Sequence, residues 1–62
     1  MHHEIIVGNI GIVYVGEDRL IARKTFINYM EDSQKNYGRA SGESVVWFVN
    51  GVIYQEHEPE SI

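Results

Sequence analysis

The chain predicts an α+β fold of ββαββ order, two β-hairpins forming a mainly antiparallel four-stranded sheet packed on one central helix. Three observations carry that prediction. Residues 18–36 are the one stretch with helical periodicity, apolar runs flank it on both sides, and each pair of runs is split by a tight-turn signal. Those signals are Gly8-Asn9 and Asn50-Gly51. At 62 residues there is room for one domain, residues 1–62, with 58–62 expected as a frayed tail.

The first strand is expected at 3–7, where Ile5, Ile6 and Val7 are continuous. Gly8-Asn9 suits a two-residue hairpin turn with positive φ, which would face Val7 with Ile10 and Ile5 with Ile12. A four-residue turn Gly8-Asn9-Ile10-Gly11 is the competing reading. The second strand follows at 10–15, with Gly11 inside it as a candidate bulge. Gly16 breaks that strand, and Asp18 is placed as the helix N-cap.

Stepping about 100° per residue from Ala22, the side chains of Thr25, Phe26, Tyr29, Met30 and Ser33 fall on one side of the helix. Leu20 and Ile27 fall nearly opposite, where a monomer should show only polar residues. Gly38 is the expected left-handed stop. A third strand at 44–49 carries five consecutive apolar residues from Val45 to Val49, and Asn50-Gly51 turns it into a fourth at 52–57. Counting from that turn pairs Val49 with Val52, Trp47 with Tyr54 and Val45 with Glu56 on one face. Phe48 with Ile53 and Val46 with Gln55 pair on the other.

These faces hold more apolar side chain than one helix can cover. A homodimer or higher homo-oligomer is the simplest closure, with Leu20 and Ile27 as the expected self-association residues. Cysteine is absent, so no disulfide or thiolate metal site supports the small core. His2, His3 and His57 are too sparse a set to expect a metal. Nine acidic residues against five basic give a net charge of −4, which argues against nucleic-acid binding. No apolar run reaches the roughly 20 residues of a membrane span. These properties fit a reducing cytoplasm.

One segment looks selected for more than folding: Gly38-Arg39-Ala40-Ser41-Gly42-Glu43. Its glycines allow backbone amides to converge, Arg39 offers a fork of donors and Ser41 a hydroxyl, so Gly38, Arg39, Ser41, Gly42 and Glu43 form a candidate partner- or anion-binding loop. The structural alternative is a helix cap at Gly38 and a turn in which Arg39 meets Glu43. Ser33, Ser41 and Ser44 have no evident His–acid partner, so no catalytic residue, enzyme activity or cofactor is expected.

Gly8-Asn9-Ile10-Gly11, the helix with Phe26, Tyr29 and Ser33, and Tyr37-Gly38-Arg39-Ala40 followed by Gly42-Glu43 together resemble a group of small bacteriophage-encoded proteins. The match spans residues 8–56. The resemblance implies a non-enzymatic accessory protein acting in the infected bacterial cytoplasm. Such proteins commonly bind and occlude a host protein of an anti-phage defence system, while others sequester signalling nucleotides. A nucleotide sponge using the loop from Gly38 to Glu43, or a structural subunit of a phage assembly, are the alternative expectations.

Overall fold

A computed structural model describes residues 1–34 and 42–58. It contains β1 (His3–Val7), β2 (Gly11–Gly16), α1 (Arg19–Gln34), β3 (Val45–Val49) and β4 (Val52–His57). The strands form one antiparallel sheet in the order β2-β1-β3-β4, so the two hairpins join through their first strands. The α+β, ββαββ architecture is the one the sequence predicts. The expected helix stop at Gly38 and the tail beyond Glu58 lie outside the described residues.

Both hairpins depart from the simple count. In the first, the Ile10 amide donates to the Val7 carbonyl at 3.1 Å, and Gly11 re-enters the strand at φ 97° opposite Val7. Ile12 faces Ile6 rather than Ile5, and a bulge then places Tyr14 opposite Ile5. The loop is neither of the two expected: residues 8–10 make a three-residue turn, and Gly11, at positive φ, pairs with Val7 as the first residue of β2. In the second hairpin Asn50 and Gly51 take φ 52° and 81°, the pair of positive angles a type I′ turn requires. Val49 faces Val52 and Phe48 faces Ile53 as expected. A bulge then moves Gln55 opposite Trp47, Glu56 opposite Val46 and His57 opposite Val45. An extra residue in one strand sharpens the local twist. Here that residue is Tyr54, which still meets Trp47 edge-on at 4.7 Å.

The helix begins at a well-built cap. Asp18 Oδ1 accepts from the amides of Leu20 at 2.9 Å and Ile21 at 3.1 Å, satisfying two donors that the helix itself leaves free. The Tyr14 hydroxyl reaches the same residue, accepting from its amide at 3.2 Å and donating to its carbonyl at 3.3 Å. From there α1 lies on β1 and β3 and, less, on β2. Ala22, Phe26 and Ser33 are buried, with Thr25, Tyr29 and Met30 half-buried beside them, as the periodicity predicts.

Ile5, Val7, Ala22, Phe26, Val45 and Trp47 form the core. His3 joins it at 2% exposure, a role the sequence did not indicate. Trp47 Nε1 donates to His3 Nδ1 at 3.1 Å. The indole N–H can only donate, so the imidazole accepts at Nδ1 and carries its proton on Nε2.

Two outcomes follow for urea unfolding. Asp18→Ala should lower stability by about 1 kcal/mol with an unchanged m-value. His3→Ala should lower it by about 2 kcal/mol or more, leaving a buried N–H unpaired and a small cavity behind. In a double-mutant cycle with Trp47→Phe the two losses should be less than additive.

Candidate functional site

Of the loop residues singled out by sequence, Gly38, Arg39 and Ser41 lie outside the described residues, whereas Gly42 and Glu43 lie within them. Gly42 takes φ 71°, and its amide donates to the Ser33 carbonyl at 3.4 Å. Ser33 Oγ in turn donates to the Glu43 carbonyl at 2.6 Å. The buried serine therefore ties the lead-in of β3 to the last turns of the helix. Because β1 and β3 are neighbours, this segment also meets the first hairpin turn. The Gly8 amide donates to the Ser44 carbonyl at 3.0 Å, and a methyl group on Gly8 would stand 2.7 Å from Glu43 Oε1. The sequence treats the two glycine-bearing segments as separate features, and the topology makes them one end of the molecule.

Leu20 and Ile27 lie along one flank of α1, Leu20 exposed and Ile27 half-buried. They are not on a fully solvated back. They line an open groove of about 750 Å³ between α1 and β4, with Arg19, Arg23, Met30, Trp47 and Tyr54. The Arg19 guanidinium crosses to the Tyr54 hydroxyl at 3.4 Å. The groove exists because α1 is centred on β1 and β3. A helix about 10 Å wide covers roughly two strands spaced about 4.8 Å apart.

The sheet face turned away from α1 is a second apolar surface. Register sets two rows across it, Ile12–Ile6–Val46–Glu56 and Val15–Glu4–Phe48–Ile53. Ile12, Val15 and Ile53 are 58%, 53% and 55% exposed, and Ile6, Val46 and Phe48 are half-buried although no helix lies over them. The charges in these rows are acidic, with His2 Nε2 at 3.1 Å from Glu4 Oε1. The sequence showed the apolar surplus but not this composition, because the bulges decide which residues share a row.

Among the described residues no group of three His, Cys, Asp or Glu side chains is placed to hold a metal ion. His2 and His3 point to different environments, one at the surface and the other in the core. No described helix is long and apolar enough to cross a membrane. Comparison with protein families, curated proteins and solved structures gives no match to this chain. The phage resemblance therefore rests on the quoted motif residues alone.

Ser33→Ala should lower stability by roughly 1–2 kcal/mol, because the Glu43 carbonyl loses its donor. Amide exchange at Gly42 and Gly8, which donate to the Ser33 and Ser44 carbonyls, should accelerate more than exchange in β1, which hydrogen-exchange mass spectrometry would read directly.

Proposed function

We propose that this protein acts by stoichiometric binding, without catalysis, and that the open face of its sheet receives the partner. The observation that carries this reading is the pair of apolar rows crossing all strands. A small monomer rarely leaves a contiguous patch of that kind without a use. The surface is aliphatic with one aromatic side chain, and it carries Glu4 within one row and Glu56 at the β4 edge of the other, so it suits a protein whose apolar patch includes basic side chains.

The phage resemblance gives the context: an accessory protein in the bacterial cytoplasm that occludes a host component of an anti-phage defence system. The alternative of a nucleotide sponge is less well supported. The described part of its loop, Gly42-Glu43, brings a carboxylate against Gly8 where an anionic ligand would need amides and cations.

The test is expression in a host carrying a defence system, scored by phage plating and by quantitative co-purification. The wild-type chain should restore plating and retain one host protein in fixed ratio. Ile12→Lys with Ile53→Lys, both at exposed positions, should abolish both effects while the melting temperature stays within a few degrees of wild type. Plating and retention unchanged by the pair would rule out the sheet face. A thermal shift with cyclic nucleotides would instead support the sponge.

A further inference from the structure

We infer that the outward flank of α1 is a seam for a second copy of this chain, the two helices running antiparallel about a two-fold axis near Ile27. Leu20, Arg23, Lys24, Ile27 and Glu31 follow the i, i+3, i+4, i+7, i+11 spacing and share about 100° of arc. All are exposed except Ile27, which is half-buried. Folding of one chain leaves this stripe of alternating apolar and charged side chains uncovered.

Charge decides what covers it. The seam is basic one turn before Ile27, at Arg23 and Lys24, and acidic one turn after it, at Glu31. Among the described residues neither Arg23 nor Lys24 has an ion pair, although the chain is acidic overall. An antiparallel pairing centred on Ile27 sets Ile27 against its own copy. It also brings Arg23 of each chain level with Glu31 of the other, so one contact is made twice, as a two-fold interface requires. A parallel pairing would stack Arg23 on Arg23 and Glu31 on Glu31.

The open sheet face is a poor surface for the same purpose. Its rows hold Glu4 and Glu56 with only His2 beside Glu4, so its own copy would set acids against acids. The two surfaces are thus sorted by self-complementarity: the helix seam matches itself, and the sheet face matches something else. The inference stands independently of which partner the sheet face binds.

Sedimentation velocity of the full chain over a wide concentration range tests it, with circular dichroism confirming that each variant is folded. A concentration-dependent dimer is expected, and Ile27→Glu should leave only monomer. Arg23→Glu and Glu31→Arg should each raise the dimer Kd by about tenfold, since each replaces two attractions with two repulsions. The double variant Arg23→Glu with Glu31→Arg should return the Kd to within about threefold of wild type, because the pair is restored with its signs exchanged. The inference is overturned by a wild-type chain that stays monomeric throughout, or by a dimer indifferent to Ile27→Glu. Charge variants whose effects simply add would overturn it too. The exposed positions Arg23 and Glu31 keep the test decisive should Ile27→Glu fail to fold.

Discussion

One helix must serve a sheet twice as wide as itself, and the rest of the structure follows from that mismatch. Burial of Phe26 against Trp47, at 5.7 Å between ring centroids, fixes where α1 rests. The Asp18 cap with Tyr14 holds one end, and Ser33 with Glu43 holds the other. These anchors lie on β2, on β3 and just ahead of β3, so the helix rests over the middle of the sheet, on β1 and β3, and leaves β4 uncovered. The groove beside it and the open sheet face beneath are consequences of that placement.

Trp47 is the hub of this arrangement. Its ring meets Phe26 from the helix, Tyr54 from β4 and His3 from β1, and its N–H is satisfied inside the core by His3. A large indole brings much apolar area but also a donor that must be matched when buried. His3 meets that demand, which gives the start of the chain a structural role. The second turn adds to it, since the Asn50 amide donates to the His2 carbonyl at 2.8 Å and Asn50 Oδ1 accepts from the His2 amide at 2.9 Å. The first residues are thus tied to the sheet from two sides.

The uncovered surfaces differ in kind, and the difference matters more than their extent. On the helix flank, cations and an anion sit a turn to either side of Ile27, an arrangement whose signs a two-fold rotation exchanges, so that it is complementary to its own copy. On the sheet face the acids have no such counterpart. Apolar area drives association in either place, but the pattern of charge selects the partner.

The element order, the Asn50-Gly51 turn, the helix cap and the inward helical stripe were legible in the sequence, as was the place of the first turn though not its length. All are set within a few residues of chain by propensity, spacing and turn chemistry. The surplus of oily side chain was legible too, and Leu20 and Ile27 were part of it, although the groove they line was not. The pairings beyond each turn were not legible, because one inserted residue at a bulge exchanges the faces of all that follow and the choice depends on packing against other strands. The same holds for the candidate surfaces. Composition shows that apolar residues remain uncovered, whereas strand order and helix position decide which lie side by side. His3 had no local signal at all: a histidine near the chain start becomes a core acceptor only when β1 and β3 are paired and Trp47 needs one. Local chemistry determined the pieces, and contacts between distant parts of the chain decided the surfaces.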